Sequence, residues 1–405
     1  MRRKERTMSD DLMAVYNRAP IEVERGEGVW LEARDGRRYL DCVAGIATNS
    51  LGHAHPKLVA ALTAQAQKLW HVSNIFRIPG QEELAHRLTE ASFAEVVFFG
   101  NSGSEAIECA LKTARRYHVA NGAPERIEVI GFSGSFHGRT YAAINASGNP
   151  AYLEGFGPRL PGYVQLSVDD TAAIEAAIRR PSAAAVIVEP VQGEGGARAL
   201  GEDWLRRVRA LCDETGTLLI FDEVQCGMGR TGRLFAHQWF DGLAPDIMAV
   251  AKALGGGFPV GACLATRDAA KGMVAGVHGS TFGGNPLAMA VAIAAFDELA
   301  KEETLAHART IGARLAEGLR RIAAAYPDIV VDIRGKGMLI GVKLVPNNRE
   351  MMAAARDQQL LVAGGGENCI RLLPPLIMTA DEADEALRRL EATFAATRAR
   401  LAAAA

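Results

Sequence analysis

Between residues 55 and 300, short apolar runs alternate with longer segments in which apolar residues recur at helical spacing. The short runs have the length of buried strands, and the longer segments have the pattern of amphipathic helices. Strands that alternate with helices predict a mostly parallel sheet covered by helices on both faces. The predicted strands are 95–99, 127–131, 163–167, 184–188, 217–221, 247–251 and 261–265, and the predicted helices are 57–70, 80–91, 104–120, 170–179 and 202–215.

The regions on either side of this alternation have different patterns. Residues 21–48 contain short strand-like runs separated by glycines, which predict a small antiparallel meander. An alanine-rich helical pattern covers 286–325, and 328–405 combines strand-like runs with two helical segments. We therefore expect an N-terminal segment and meander packed with a small domain, a large domain, and that small α+β domain, with the bounds 1–54, 55–300 and 301–405.

Composition and charge exclude several classes of partner. The chain of 405 residues has 45 basic and 47 acidic residues and a formal charge of -2, so it has no electrostatic footprint for nucleic acid or an anionic membrane. No apolar run is long enough to span a bilayer, and the charged residues 1–10 predict no signal peptide. The six cysteines form no C-x-x-C pair, which indicates a reduced, cytoplasmic chain without a metal site.

Two apolar runs of the predicted sheet end in residues of opposite charge. Asp222 follows 218–221 and Lys252 follows 247–251. A lysine among apolar groups loses its proton more readily and becomes a nucleophile, while an acid can keep a pyridine nitrogen protonated. This combination suits pyridoxal phosphate (PLP), which forms a Schiff base with lysine. The alternative interpretation is a buried salt bridge between Lys252 and Asp222.

The turn after the predicted strand 95–99 has the composition of a phosphate-binding loop. Ser102, Gly103 and Ser104 lead into a predicted helix, where small side chains let a ligand approach and the first turn offers free backbone amides. The alternative is an ordinary helix N-cap formed by Ser102 or Ser104.

Aromatic and charged residues follow or interrupt other predicted strands. Phe136 could stack on a planar cofactor, and Arg139 offers a planar fork for a carboxylate; the alternative is a surface loop. Glu189 ends the run 184–188 before a glycine-rich loop, where it could face a substrate or lie in solvent. Arg371 lies within an apolar run, so we expect it to contact a carboxylate, either internal or from a substrate.

Two glycine-containing segments allow less specific interpretations. Ser280 and Thr281 precede the helical pattern at 286, where their hydroxyl groups could contact phosphate or cap the helix. The segment 227–232 matches G-x-G-x-x-G, a pattern typical of dinucleotide binding. We reject that function because the glycines start five residues after Asp222 and no acid ends a strand about twenty residues later.

Taken in order, six motifs resemble those of class III (ω-amino) aminotransferases of PLP fold type I. The resemblance extends from about residue 20 to residue 371, and it implies a large domain with a mostly parallel mixed sheet between helices plus a smaller α+β domain. The six motifs lie at 101–106, 136–139, 189–196, 221–225, 251–257 and 283–286, and further similarity to the acetylornithine aminotransferases of this family lies at 69–74, 226–232 and 278–282.

This resemblance implies a role for each matching residue. Lys252 would form the Schiff base with PLP and move a proton, and Asp222 would pair with the pyridine nitrogen. The other cofactor contacts would come from Ser102, Gly103, Ser104, Phe136, Val224 and Gln225, together with Thr281 from the second subunit of a homodimer. The substrates would be bound by Arg139, Glu189, Ser280 and Arg371.

The resemblance also implies a reaction. The δ-amino group of N2-acetyl-L-ornithine would pass to 2-oxoglutarate, as in arginine biosynthesis, with Arg139 on the α-carboxylate of the donor and Arg371 on that of glutamate. Glu189 would pair with Arg371 while the ω-amine donor is bound. Succinylornithine, succinyldiaminopimelate, ornithine and 4-aminobutyrate remain open as alternative donors, whereas a glutamate-binding Arg371 argues against a decarboxylase or an aminomutase.

Overall fold

The computed structural model describes residues 11–404, so the expectation of no signal peptide at 1–10 lies outside the described residues. Its strands are β1 (Val23–Glu27), β2 (Trp30–Ala33), β3 (Arg38–Asp41), β4 (Val96–Gly100), β5 (Glu128–Phe132), β6 (Tyr163–Leu166), β7 (Ala183–Val188), β8 (Val191–Gln192), β9 (Arg198–Ala199), β10 (Leu218–Asp222), β11 (Ile247–Val250), β12 (Gly261–Ala265), β13 (Val330–Lys336), β14 (Leu339–Leu344), β15 (Leu360–Leu361), β16 (Ala363–Gly365) and β17 (Cys369–Leu372).

The helices are α1 (Ala44–Ala47, a single turn), α2 (Pro56–Ala66), α3 (Pro79–Glu90), α4 (Gly103–Ala120), α5 (Tyr141–Ser147), α6 (Pro150–Leu153), α7 (Thr171–Ile178), α8 (Glu202–Thr215), α9 (Pro286–Leu299), α10 (Glu302–Ala325), α11 (Asn348–Asp357) and α12 (Ala380–Ala404). Short 3-10 helices occupy Ala236–Trp239 and Lys252–Gly255.

The central sheet has seven strands in the order β4-β12-β11-β10-β7-β5-β6. β10 pairs in parallel with β7 and β11, so the three strands have their carboxyl ends at one edge of the sheet. β12 runs antiparallel to both β11 and β4. The connection 251–260 contains only a 3-10 turn, and a parallel crossover needs a dozen residues or more. The predicted mostly parallel sheet is confirmed, with β12 as the reversed strand.

Helices cover both faces of this sheet and form two apolar cores with it. All residues of β7 and β10 are buried, as expected for strands covered on both sides. Alternate side chains enter opposite cores: Val186 and Leu219 lie in one, whereas Ile187 and Ile220 lie in the other, which also contains apolar residues of α4. This packing on both faces fixes the positions of the carboxyl ends of β7 and β10 relative to each other.

Besides a two-stranded sheet of β8 and β9, two four-stranded sheets lie outside the central sheet in residues 11–404. β13, β14, β17 and β16 form an antiparallel sheet whose neighbours include α10 and α11, while β1, β2 and β3 form the N-terminal meander. The meander is joined to the C-terminal region, because β15 pairs in parallel with β3 through Leu360 and Leu40. The N-terminal and C-terminal parts of the chain therefore share one sheet.

Arg230 connects three regions of the fold. Its guanidinium is fully buried and donates hydrogen bonds to the carbonyl oxygens of Met338 and Pro374 and to the hydroxyl of Ser50, 2.8 Å away. No carboxylate within residues 11–404 forms an ion pair with it. The glycine-rich loop 227–232 thus forms a structural junction between regions.

The helical pattern at 286–325 forms two helices rather than one. α9 ends at Leu299 and α10 begins at Glu302, with the hydroxyl of Thr304 donating to the carbonyl of Glu298 at 2.8 Å. α9 packs against α2 and α3, whereas α10 packs on β13 and α12. The break lets one continuous apolar pattern pack against two different sets of neighbours within the same core.

Residues 11–404 show the state of the cysteines, the arrangement of potential metal ligands and the length of the apolar helices. The six cysteines, all in this part of the chain, are free. Over the same residues, no group of three or more histidine, cysteine, aspartate or glutamate side chains could hold a metal ion. Among the helices described, none is both long and apolar enough to cross a membrane.

Candidate active site

The carboxyl edge of the central sheet carries the main polar cluster. Glu189 follows β7, Asp222 ends β10, and Lys252 follows β11 by two residues. These strands are neighbours, so their ends bring the three side chains around one cavity of about 340 Å³. The other charged, polar or ring-bearing residues of its wall include Thr48, Asn101, Ser102, Ser104, Phe136, His137, Glu194, Gln225 and Phe258.

Lys252 has an unusual backbone and an unusual electrostatic environment. Its φ angle of 48° lies in the left-handed region, which is strained for a residue with a side chain. Burial lowers the pKa of its ammonium group to about 8, although the nearby carboxylate of Glu194 opposes this change. Lys252 forms no ion pair with Asp222 in the described structure, so the salt-bridge interpretation is not the arrangement found.

Asp222 is instead held by His137. The Nδ1 atom of His137 lies 2.7 Å from Oδ2 of Asp222, and both side chains are buried. The other carboxylate oxygen accepts a hydrogen bond from the backbone N–H of Val224 at 3.0 Å. Burial opposes a charged His137, but the hydrogen bond and the charge of Asp222 raise the pKa of His137 overall. The carboxylate is therefore oriented from two sides.

The start of α4 has the form of a phosphate-binding loop. Ser102 caps the helix by accepting a hydrogen bond from the backbone N–H of Glu105 at 3.2 Å, so the capping interpretation holds while the residue also lines the cavity. A Cβ atom at Gly103 would lie 2.7 Å from Cγ1 of Val224. Gly138, with φ at 124°, would place a Cβ atom 2.3 Å from Oγ of Ser104. Side chains are therefore excluded at Gly103 in this loop and at Gly138 in the segment after β5, which packs against it.

Phe136 and Arg139 follow the turn after β5, but they lie in different environments. Phe136 lines the cavity, and its backbone N–H donates to Oε1 of Glu189 at 2.8 Å. Arg139 is exposed and lies outside the wall of this cavity, with its guanidinium carbon 3.9 Å from the ring centre of Tyr152. Tyr152, which we did not predict from the sequence, thus contacts Arg139 beside Phe136, whose ring centre lies 5.6 Å from the same guanidinium carbon.

Arg371 forms a different ion pair from the one expected. Its side chain is 1% exposed and lies 2.8 Å from Oε1 of Glu194, rather than pairing with Glu189. It also donates to Oε1 of Gln225 at 3.0 Å and to the carbonyl of Gly364 at 2.8 Å. Here Arg371 pairs with Glu194, five residues later in the same glycine-rich loop, and the pairing with Glu189 while the donor is bound stays a prediction.

Glu189 does not pair with Arg371 because its carboxylate is engaged elsewhere. Oε1 accepts from the backbone of Phe136, and Oε2 accepts from the backbone of Gly193 at 2.9 Å. Burial and the charge of Asp222 raise the pKa of Glu189 to about 7. Glu189 therefore shapes the loop that carries Glu194, as well as lining the cavity.

Ser280 and Thr281 are not part of the cavity wall formed by their own chain, although Ser280 contacts a residue of that wall. Oγ of Ser280 accepts hydrogen bonds from the side chain of Asn101 and the backbone of Gly283, both at 3.1 Å. Thr281 is exposed, and it is not part of the wall described above. An exposed threonine beside the site of its own chain is compatible with a contact to a second subunit.

The cavity fits a pyridine aldehyde that carries a phosphate. Lys252 supplies an amine with a lowered pKa, and the glycine-lined start of α4 supplies space and backbone amides for phosphate. Asp222 supplies a carboxylate for a ring nitrogen, and Phe136 and Val224 supply ring-sized apolar surfaces. The buried Nε2 atom of His137 has no hydrogen-bond partner in the described structure. These are the groups that PLP requires.

His137 and Glu194 are the main site residues that we did not select from the sequence. Both lie inside motifs that we recognised, next to Phe136 and within the glycine-rich loop after Glu189. Two features of the sequence could have pointed to them. His137 follows Phe136, the candidate stacking ring, and Glu194 is a second acid in the glycine-rich loop after Glu189. Spacing along the chain could not decide which acid reaches Arg371.

Two curated relatives of this chain are acetylornithine aminotransferases. An acetylornithine aminotransferase 2 of Caulobacter vibrioides is 64% identical over 98% of both chains. An acetylornithine aminotransferase of Mesorhizobium japonicum is 57% identical over 94% of this chain and 95% of its own.

Solved structures agree in fold with the chain. An N-acetylornithine aminotransferase from Stenotrophomonas maltophilia is 39% identical, has a TM-score of 0.84, and is matched over 95% of this chain and 98% of its own. An ornithine aminotransferase from Toxoplasma gondii is 33% identical, with a TM-score of 0.92 and coverage of 96% and 94%. The family model "Aminotransferase class-III" matches residues 13–394. The chain therefore belongs to the PLP-dependent class III aminotransferases and has their fold type I architecture.

Proposed function

We propose that the chain transfers the δ-amino group of N2-acetyl-L-ornithine to 2-oxoglutarate, giving N-acetyl-L-glutamate 5-semialdehyde and L-glutamate. The acetylornithine aminotransferases that resemble it over nearly their whole length support this substrate. The observation that carries the proposal is the ion pair between Arg371 and Glu194 beside Lys252. A transaminase of this kind must accept two different substrates in one site.

The Arg371–Glu194 pair provides a way to do so. While the pair is closed, Arg371 is neutralised and the site suits a donor that brings only an amine to this position. When glutamate or 2-oxoglutarate enters, its α-carboxylate can replace Glu194 on the fork of Arg371. Glu194 is 29% exposed, so it can move into water on its release. Gln225 hydrogen-bonds to Arg371 and limits where the fork points.

Lys252 is the proposed proton-transfer residue. PLP, when bound, supplies an electron sink for the charge that develops on the carbon bearing the amine. Lys252 Nζ then takes the proton from the δ-carbon of the donor. Because its pKa is lowered to about 8, a neutral amine is available near neutral pH, and the ammonium form can return the proton.

Other side chains position the reactants. Asp222, oriented by His137, would hold the ring nitrogen protonated, and Ser104 with the amides of α4 would bind the phosphate. Arg139 would bind the α-carboxylate of acetylornithine from its place on Tyr152. A carboxylate arriving there would use the guanidinium edge, since the face already lies against the ring.

We further propose a cytoplasmic homodimer in which Thr281 of each subunit completes the site of the other. The exposure of Thr281 supports this arrangement. For the domain organisation, we propose an N-terminal segment and meander (1–54) that packs with a C-terminal small domain (301–405), and a large PLP-binding domain (55–300). The pairing of β3 with β15 supports that grouping.

A comparison of amine donors tests the proposed reaction. Steady-state turnover with 2-oxoglutarate should give the highest kcat/KM for N2-acetylornithine among acetylornithine, ornithine and 4-aminobutyrate. The products should be glutamate and the corresponding semialdehyde in equal amounts. A higher kcat/KM for free ornithine or 4-aminobutyrate would refute the proposed substrate while leaving the aminotransferase chemistry in place.

A further inference from the structure

A separate cavity of about 430 Å³ lies beside α4, on one face of the central sheet. It is formed by β4, β12, α4 and the segment 267–278, and within the described chain it shares no wall residue with the catalytic cavity. Much of its lining is apolar, including Phe98 and Met273. Arg267 and Val274 of the wall are exposed, so the cavity opens to solvent. A small apolar molecule therefore has a path into this space and a surface to contact there.

Two thiols and an imidazole meet at this cavity. Cys109 comes from α4, Cys263 from β12 and His278 from the segment after β12. The side chains of Cys263 and His278 both hydrogen-bond to the sulfur of Cys109, and Oγ1 of Thr113 lies 3.9 Å from it. Both cysteines are free. Such a cluster has the groups needed to activate a sulfur nucleophile.

Lys112 determines which nitrogen of His278 carries the proton. Its Nζ atom lies 2.9 Å from Nδ1 of His278 and donates to the carbonyl of Val277 at 3.2 Å. An ammonium group can only donate, so Nδ1 accepts and Nε2 carries the proton of the neutral ring. The ring of His278 also packs on that of Phe98, with the ring centres 4.7 Å apart. His278 is thus held as a donor, and the sulfur of Cys109 is an acceptor for it.

These contacts make the two thiols unequal. The hydrogen bond from Cys263 lowers the pKa of Cys109 to about 6 against the effect of burial, and His278 adds to the decrease. The same hydrogen bond raises the pKa of Cys263 well above its usual value, because its proton is held by the neighbouring sulfur. The other charged side chain of the wall, Arg267, is paired with Glu95 at 3.6 Å. At neutral pH, Cys109 is therefore the thiolate and Cys263 the thiol that stabilises it.

We propose that Cys109 is a modification site for small, uncharged α,β-unsaturated carbonyl compounds, which enter this cavity and add to its sulfur. The sulfur forms a bond to the β-carbon, and the electron pair of the carbon–carbon double bond moves onto the α-carbon and carbonyl. The α-carbon then takes a proton from Nε2 of His278, which is replaced from water. The product is a thioether, and no atom is lost and no oxidant is needed.

The adduct would also affect the cofactor site. His278 lies two residues before Ser280, whose Oγ accepts a hydrogen bond at 3.1 Å from Asn101 in the wall of the catalytic cavity. A thioether on Cys109 occupies the space beside His278 and displaces the loop 278–281, which includes Thr281. PLP should then be retained less well. This link does not depend on which amine donor the chain uses.

Competition among the six cysteines tests the modification site. The holoenzyme is treated with limiting N-ethylmaleimide at pH 7, and the labelled peptides are quantified by mass spectrometry. We expect Cys109 to be labelled at least about tenfold faster than each of the other five, whereas all six should react at similar rates in concentrated urea. Its rate in the folded protein should rise through a pH of about 6. Faster labelling of another cysteine, or equal labelling of all six in the folded protein, would overturn the proposal.

Variants of Cys263 test how the thiolate is stabilised. Cys263→Ala removes the donor and should move the midpoint of the pH profile of Cys109 upwards by about one unit, whereas Cys263→Ser keeps a donor and should restore most of the shift. Cys212→Ala, in the other apolar core, is the matched control and should leave the profile unchanged. A midpoint that stays in place in Cys263→Ala would contradict the proposed activation.

Two further measurements test access and the link to the cofactor. A maleimide carried on a long polyethylene glycol chain is too large for a cavity of about 430 Å³ and should not label Cys109 in the folded protein. Labelling at the rate of N-ethylmaleimide would show that the sulfur reacts at an open surface instead. Protein labelled with N-ethylmaleimide should lose PLP several times faster on dilution, as followed by cofactor absorbance, whereas treated Cys109→Ser should not. Unchanged PLP retention in the labelled protein would refute the displacement of the loop 278–281.

Discussion

Replacing Arg371 by alanine tests how one site serves two substrates. The side chain is nearly fully buried and makes three contacts: an ion pair with Glu194 and hydrogen bonds to Gln225 and the carbonyl of Gly364. If Arg371 binds the α-carboxylate of glutamate, its loss should impair the glutamate half-reaction. The acetylornithine half-reaction uses Arg371 only in its neutralised form, so it should be affected much less.

The structure allows the size of this effect to be worked out. Removal of one partner from a buried, hydrogen-bonded charge pair costs about 2–5 kcal/mol. The lower half of that range applies, because Glu194 is 29% exposed and water reaches this part of the site. A loss of about 3 kcal/mol corresponds to a decrease of about 150-fold in kcat/KM for glutamate. For acetylornithine we expect a change below about fivefold.

Single-turnover kinetics measure the two half-reactions separately. The cofactor absorbance is followed after mixing the PLP form of the enzyme with glutamate alone or with acetylornithine alone. Arg371→Lys is the matched variant, since it keeps the charge but not the planar fork, and it should recover part of the glutamate rate. Thermal unfolding of both variants checks that the buried contacts to Gly364 and Gln225 are not needed for folding.

Equal losses in the two half-reactions would refute the reasoning. They would mean that Arg371 supports the shape of the cavity rather than one carboxylate. An unchanged glutamate rate in the alanine variant would place the carboxylate on another cation, such as Arg139.

The other residues of the site give three further predictions. Lys252→Ala should lower turnover by about 10³-fold or more and abolish borohydride trapping of the cofactor on the chain, as measured by mass spectrometry; retained turnover would exclude Lys252 as the proton-transfer group. In the cofactor-free protein, PLP should associate faster as the pH rises through about 8, because the lowered pKa of Lys252 leaves the neutral amine dominant above that value, and a pH-independent rate would contradict this. Gly138→Ala should weaken PLP binding at least tenfold in a titration, since the new Cβ atom would meet Oγ of Ser104 at 2.3 Å, whereas Gly122→Ala, in open surroundings, should not.

Much of the large domain could be predicted from its apolar pattern. A strand such as β7 is buried along its whole length and reads as a continuous apolar run, and an amphipathic helix such as α4 shows its spacing directly. The reversal of β12 could not be predicted in the same way, because a buried strand has the same apolar run in either direction. The break between α9 and α10 could not be predicted either, because the helical spacing of apolar residues continues through Ala300.

The site was predictable in its chemistry but not in all its pairings. Lys252 and Asp222 were selected because a charged residue at the end of an apolar run is costly without a function or a partner. The sequence does not predict that Asp222 pairs with His137 rather than with Lys252, because His137 lies in a loop 85 positions earlier in the chain. Glu189 and Glu194 share one loop, and only the backbone bonds that engage Glu189 decide that Glu194 meets Arg371.

Arg230 has a consequence for how the chain acquires its structure. The two terminal nitrogens of its buried guanidinium are hydrogen-bonded only when Ser50, Met338 and Pro374 have all reached their positions. Until then, a charge at the centre of the loop 227–232 either stays in water, holding that loop away from the core, or is buried at a cost of several kcal/mol. The segment after α1, the loop that follows β10 of the large sheet, and the small sheet are thereby made interdependent during assembly. A chain that lacks one of these contacts therefore exposes this loop or loses stability, whereas the complete fold buries it.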